Sequence, residues 1–360
     1  MALKGMIVPS STAAPAGGLA NAALKRVANR PILCHVLDNM RRAGVSEVSL
    51  VLAEPEFAAV RACVEIDGPP GVEVSYFPYG QRGALEQAPR DGTLDQALVE
   101  AAASVGDDAC FVHVAEGLLD QPLTPLLAGA GEVAPDLVVF LSRRADDGGS
   151  IGLATRRLMH LAEIESLDAP LDLTGAALFG AGALRRAAGT SWWSSGRLDL
   201  VAVAEQLTAG GGRLGVERVR GWRRYSGDVA GLLELNRIAL DALALEPQDV
   251  PGPDNHVEGG VEVHPRATVE SSTIVGPAIV GPNALVLDSY IGPYTSIGAD
   301  VQIVGAEVER SIILPGARIT HIGGRLVGSV VGRDARIFRD FSLPRALRLN
   351  VGDGGEVALC

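Results

Sequence analysis

Few residues in this chain are spaced to do chemistry on their own. Cys34, Cys63, Cys110 and Cys360 are scattered singly, with no CxxC pair and no His-Cys cluster. Zinc needs four converging ligands, so no zinc site is expected and the cysteines read as buried free thiols. His113 ends an apolar run, where a satisfied polar residue and a catalytic base are both open readings. Gly17-Gly18 offers a flexible loop for cradling a phosphate, but no basic residue accompanies it, and a plain surface turn is the other reading. Trp192-Trp193 fits a sugar-stacking platform, a partner contact or core. Lysine is scarce: Lys4 and Lys25 stand against 29 arginines. Any phosphate grip that relies on a lysine point charge has only these two to use.

The elements that must position such residues are legible from periodicity. Gly5 to Val8, Val48 to Leu52, Val72 to Phe77, Ala109 to Val114 and Leu137 to Leu141 read as strands. Pro31 to Ala43 and Leu94 to Ala103 carry helical spacing, and Gly44 is a stop signal. Strands alternating with helices predict a mostly parallel sheet covered on both faces. Ligands of such sheets sit at the carboxyl ends of the strands, so the loops after Val8, after Val114 and near Gly221 are the places to look.

The pattern changes near Glu246. Leu232 to Leu245 reads as an amphipathic helix, and Pro247 to Pro253 as a linker. From His256 to about Ile337 short imperfect repeats follow, among them Ile274-Val275-Gly276-Pro277, Ile279-Val280-Gly281-Pro282, Ile291-Gly292-Pro293 and Ile297-Gly298-Ala299. An aliphatic residue at every sixth position followed by glycine predicts a parallel β-helix, with the aliphatic side chain inside and glycine easing the corner. The expected domains are 1–246 and 247–360, the second ending in a C-terminal tail. Such a solenoid exposes its ends and flat faces, so a homo- or hetero-oligomer is expected.

With 360 residues and 47% hydrophobic content the chain has ample core for this plan. A net charge of −12 argues against nucleic acid or anionic membrane as partners. No signal-peptide pattern and no membrane-length apolar run is evident, so a cytoplasmic location is expected.

Several segments resemble the long form of glucose-1-phosphate thymidylyltransferase, a sugar-phosphate nucleotidylyltransferase family. Val27-Ala28-Asn29-Arg30-Pro31-Ile32-Leu33 is similar to that family's "VANKPVL", and Ala43-Gly44-Val45 to its "AGI". Gly221-Trp222-Arg223-Arg224-Tyr225-Ser226-Gly227 resembles "GWWKDTG", and Leu232 to Arg237 resembles "LLEANR". Tyr290 to Gly298 is close to "YIGPFTSIG", and Pro344 to Leu349 fits the end of the long form. The resemblance implies a Rossmann-like nucleotidyltransferase domain followed by a left-handed parallel β-helix of hexapeptide repeats.

It also implies a chemistry whose parts are altered here. Joining a sugar phosphate to a nucleoside triphosphate gathers negative charge that metal, cations and backbone N–H groups must offset. The family's glycine-rich loop with its arginine corresponds to Pro9-Ser10-Ser11-Thr12-Ala13-Ala14-Pro15, which is shorter and lacks both the paired glycines and the arginine. A family lysine aligns with Ala22, and Lys25 would reach the same space only if the region is helical. A second family lysine falls in Ala162 to Leu167, where Glu163 and Glu165 would repel phosphate. The "GDN" aspartate becomes Glu116, a longer ligand than magnesium's tight octahedron favours. The "KDTG" aspartate becomes Tyr225, with Asp228 and Asp120 as the only nearby carboxylates to replace it. Asp91-Gly92-Thr93-Leu94 resembles the loop and helix start that face the base and sugar.

The sequence therefore predicts a family member with most catalytic residues lost, acting as a regulatory or binding subunit. Its expected ligand is a nucleotide-sugar and its expected partner an active paralogue. The alternative is a divergent enzyme forming a nucleotide-sugar or nucleotide-cyclitol with Lys25, Glu116, Asp228 and arginines such as Arg26, Arg223 and Arg224. Ser10, Ser11, Gly92 and Thr93 are the expected nucleotide or sugar contacts. No cofactor is expected, with Mg2+ at Glu116 if the site is active.

Overall fold

Strand β1 (Leu3–Val8) shows where the core lies. Successive side chains on a strand point to opposite faces. Ile7 enters one hydrophobic cluster, Met6 and Val8 enter another, and all three are fully buried. A strand buried on both sides belongs in the middle of a covered sheet. The computed structural model describes residues 2–9, 22–80, 93–127, 135–143, 153–162, 171–189, 192–194, 197–246, 250 and 252–339.

The sheet continues through β2 (Glu47–Ala53), β3 (Glu73–Tyr79), β4 (Ala109–Val114), β5 (Leu137–Arg143), β6 (Leu171–Phe179) and β7 (Leu214–Val219). Its seven strands lie in the order β7-β5-β6-β4-β1-β2-β3. Neighbours run parallel except around β6, which is antiparallel to β4 and β5. The helices Ile32–Arg42 and Val229–Leu243 cover one face, and Leu94–Val105 and Leu200–Ala209 cover the other. The first five strands fall close to their sequence-predicted positions. Strands β6 and β7 had no such signal, because Thr174-Gly175 interrupts one apolar run and Glu217-Arg218 the other.

After the Val229–Leu243 helix the chain winds into three five-stranded parallel sheets, the layout of a parallel β-helix. The first rung opens at His256. His256 pairs with Thr273, Thr273 with Tyr290 and Tyr290 with Glu307. Ser272 and Ser289, stacked in the same way, are 17 residues apart. A strict hexapeptide on three faces would need about 18, so most coils are one residue short of the expected repeat. The last full turn, from Glu307 to Arg325, does take 18.

The glycines of the repeats divide into two groups, of which Gly259, Gly305, Gly316 and Gly328 take left-handed backbone as the sequence suggests. Left-handed backbone also falls on Ser271, Asp288 and His321, on Asn283, Asp300 and Asp334, and on Tyr294 and Arg310. Gly276, Gly281 and Gly298 are not in that region. They are required by close stacking instead. A Cβ on Gly276 would sit 2.1 Å from the Gly260 carbonyl oxygen, and one on Gly298 2.8 Å from the Pro315 nitrogen.

The coil docks on the α/β half through a shared core. Ile279 and Ile312 join the cluster that contains Leu235, Ile238 and Val27. Asn236, fully buried, ties three segments together. Its Oδ1 accepts from the Ala28 N–H at 2.8 Å and from Ser296 Oγ at 2.7 Å. Its Nδ2 donates to the Tyr294 carbonyl at 3.0 Å.

Candidate functional site

Two of the three expected loops meet at the carboxyl end of the sheet. Just past β4, Gly117–Leu119 pairs antiparallel with Trp222–Arg224, placing Arg224 opposite Gly117. The ribbon extends by one more bond, from the Tyr225 N–H to the Glu116 carbonyl at 3.0 Å. Glu116 and Tyr225 therefore stand side by side, as the family resemblance requires of its two metal positions. The third loop, after Val8, includes Ser10, Ser11 and Gly17-Gly18, all outside the described residues.

Trp222 fixes this ribbon. A Cβ on Gly117 would lie 2.2 Å from its ring, and one on Gly175 2.9 Å. Two glycines thus make room for one indole, which packs edge-on against His113 at 5.3 Å between ring centroids. His113 is buried, and its Nδ1 bonds the Val114 carbonyl at 2.7 Å. Burial lowers its pKa to about 4, leaving a neutral ring at physiological pH. Of the two readings of His113, the structure supports the satisfied polar residue.

The polar groups nearest the ribbon are committed to the fold. Asp228 caps the Val229–Leu243 helix. Its Oδ1 accepts from the Gly231 N–H at 2.5 Å and its Oδ2 from Ser226 Oγ. These bonds hold its carboxyl below the usual range, led by the serine. Asp120 Oδ2 accepts from Arg237 Nη2 at 3.0 Å. Tyr225 stays a neutral phenol: burial raises its pKa first, and the Asp228 charge adds to it.

The cations fare similarly. Lys25 lies just before a tight hairpin, Arg26–Val27 against Arg30–Pro31, rather than on an extended helix. Ala28 and Asn29 both take positive φ there, as a two-residue primed turn demands. Ala22 and Ala23 are helical and the Lys25 N–H bonds the Ala22 carbonyl at 3.2 Å, so Lys25 stays one turn on from Ala22. Arg26 turns away to Asp67 at 2.5 Å and to the Asn29 carbonyl at 2.6 Å. Arg223 is close enough to Asp228 to contribute to its lowered pKa.

Thr93 caps the Leu94–Val105 helix, accepting from the Gln96 N–H at 3.2 Å, and is exposed. Gly92, Glu163 and Glu165 lie outside the described residues. Trp192 is core: it stacks on Phe179 at 5.2 Å and donates Nε1–H to the Ala187 carbonyl. Trp193 stacks on Trp192 and is half-buried. Sequence reasoning missed Asn236 as a structural node. Its signal was present, an amide on the otherwise apolar face of Leu232, Leu235 and Ala239.

A hollow of about 940 Å³ opens at the other end of the sheet. Its cations are neutralised in place: Lys4 by Glu47 at 3.0 Å, Arg185 by Asp107 at 2.6 Å, and Arg186 by Asp136. Among the described residues, no three His, Cys, Asp or Glu side chains are grouped to hold a metal. A magnesium ion, which the family chemistry implies, does not fit what the ribbon presents. It would meet one buried glutamate beside a neutral phenol, with both neighbouring aspartates engaged.

The fold is that of a nucleotidyltransferase: a Rossmann-like sheet joined to a parallel β-helix. No protein-family model matches the chain. It is 30% identical to a glucose-1-phosphate thymidylyltransferase of Streptomyces antibioticus, over 93% of both chains. A protein of the same name from Streptomyces griseus is 25% identical, covering 91% of this chain and 90% of the relative. Low-salt glycan biosynthesis nucleotidyltransferase Agl11 of Haloferax volcanii is 25% identical over 92% of each. A solved Bacillus anthracis chain in complex with a sucrose overlays at TM-score 0.49 and 17% identity, over 66% of this chain and 95% of that one. The chain belongs to the glucose-1-phosphate thymidylyltransferase family. Among the described residues, no helix is long and apolar enough to cross a membrane.

Proposed function

We propose that this protein is a non-catalytic member of its family, a binding or regulatory subunit in nucleotide-sugar metabolism. The observation that carries the proposal is the pairing of Glu116 with Tyr225 at the strand ends, where two metal-binding carboxylates are needed. A neutral phenol offers magnesium little, and Asp228 and Asp120 already serve as a helix cap and an ion-pair partner. Losses of preorganised charge are each worth roughly 10²–10³ in rate. They do not multiply cleanly, because such groups act as a unit.

The ligand we propose is a nucleotide-sugar held without metal, with Thr93 at the rim of its site. An active paralogue is the proposed partner, with the coil as the docking element. A second reading is favoured by the length of the likeness, 93% of both chains for the Streptomyces antibioticus relative: a divergent enzyme that forms a nucleotide-sugar. Pyrophosphate release from a panel of nucleoside triphosphates with glucose 1-phosphate and Mg2+ separates the two. The non-catalytic reading expects no release above a blank. Release that is abolished by Glu116→Ala would establish the enzyme reading instead.

A further inference from the structure

Two cysteines far apart in sequence meet inside the α/β half. Cys34 lies on the Ile32–Arg42 helix and Cys63 on the Phe57–Asp67 helix. Their sulfurs are 3.6 Å apart, at positions separated by 29 in the sequence. Cys34 is fully buried and Cys63 is 9% exposed, so Cys63 is the outer of the two. Cys110 sits on the opposite face of the sheet, in the other core cluster.

We propose that Cys34 and Cys63 form a peroxide-reactive dithiol that closes into an intramolecular disulfide. The surroundings suit the reaction. Arg26 and Arg30 converge on Asp67 at the C-terminal end of the Cys63 helix, Arg26 through its carboxylate at 2.5 Å and Arg30 through its carbonyl at 2.9 Å. The hydrogen bond from Cys34 holds the Cys63 thiol below its ordinary pKa against the opposing effects of burial and Asp67, with Arg26 and Arg30 adding to the lowering. The same bond and burial push Cys34 up. Cys63 is therefore the sulfur that ionises first, and the thiolate is the nucleophile.

The chemistry balances with a hydroperoxide as the oxidant. The Cys63 thiolate attacks the peroxide oxygen, giving a sulfenic acid and, from hydrogen peroxide, hydroxide that takes up the released proton. The Cys34 thiol then attacks the sulfenic sulfur, forming the S–S bond and expelling a second water. Two thiols are oxidised and one peroxide is reduced to two waters. The new bond joins the two helices that pack beside the hairpin carrying Arg26 and Arg30.

The test uses the reduced full-length protein, exposed to hydrogen peroxide, alkylated and mapped without reduction. We expect a linked Cys34–Cys63 peptide, a chain lighter by two hydrogens, and reversal by dithiothreitol. The closed loop should also raise Tm by about 5 °C. Cys110→Ser should leave all of this unchanged. Sulfinic acid at Cys63 with no linked peptide, or a link from either residue to Cys110 or Cys360, would overturn the proposal. So would a Cys63→Ser chain that loses the same two hydrogens on peroxide treatment. Should that variant fail to fold, peptide mapping of the unaltered chain still decides.

Discussion

The coil and the cleft handle polar side chains in opposite ways. In the coil, a buried polar residue repeats its role from turn to turn. Ser272, Ser289 and Ser311 each donate to the carbonyl two residues back, at 2.6 to 2.7 Å. Each also accepts a backbone N–H from the next coil, at 3.1 to 3.3 Å. In the cleft the polar residues serve the fold singly and without a repeating pattern. Asp228 caps a helix, Asp120 pairs with an arginine, and His113 bonds a neighbouring carbonyl. A repeating architecture needs only residue classes at a period. A catalytic site needs particular residues at particular atoms. The first requirement survives divergence that the second does not, and on the proposed non-catalytic reading that is how the frame of the family persists while Tyr225 stands where a carboxylate is expected.

Acid should separate the two halves most strongly. Burial holds His35 and His113 at about 4, well below the ordinary 6.5. The unfolded chain takes up these protons near pH 6.5, and the folded protein resists until about pH 4. Stability is therefore complete above the unfolded pKa and falls as pH drops through this window, by several kcal/mol on an order-of-magnitude basis. Denaturant melts from pH 7 to pH 4.5, followed by the fluorescence of Trp222, should show the loss, and His113→Gln should reduce it. A flat stability profile would break this part of the comparison.

Truncating the coil core comes next. Ile303 is fully buried among Val286, Ile319 and their neighbours, so Ile303→Ala should cost about 3 kcal/mol in urea unfolding. Asn236→Ala leaves the Ala28 N–H and the Tyr294 carbonyl without their buried partner and should cost about 2 kcal/mol. It should also split one cooperative transition into two, since the same amide joins coil to hairpin. The smallest effect belongs to Asp228→Ala, about 1 kcal/mol from the lost helix cap. Nucleotide-sugar affinity should be unchanged by that variant; a metal-dependent loss of affinity would instead make Asp228 a ligand.

Much of this was legible beforehand, for identifiable reasons. The strand Ala109–Val114 was found to the residue because its apolar run has sharp ends. The coil was legible because its aliphatic residues repeat, but its 17-residue turn was not. Asn, Asp and Ser accept left-handed backbone at several of its positions as glycine would, so glycine spacing alone does not reveal the turn length. The role of Asp228 was hidden because a carboxylate reads alike as ligand and as cap; only the Gly231 N–H distinguishes them. The primed turn at Ala28-Asn29, just past Lys25, was hidden because alanine rarely takes positive φ. The glycine cradle of Trp222 was invisible because Gly117 and Gly175 come together only in the folded sheet.

Isothermal titration of the full-length protein with nucleoside triphosphates and nucleotide-sugars, with and without Mg2+, addresses the central claim most directly. The account predicts heat from a nucleotide-sugar that is the same with or without the metal, and none from a triphosphate that depends on it. Triphosphate binding that appears only with Mg2+ would contradict it, because the Glu116–Tyr225 pair would then be holding the ion it is argued to exclude.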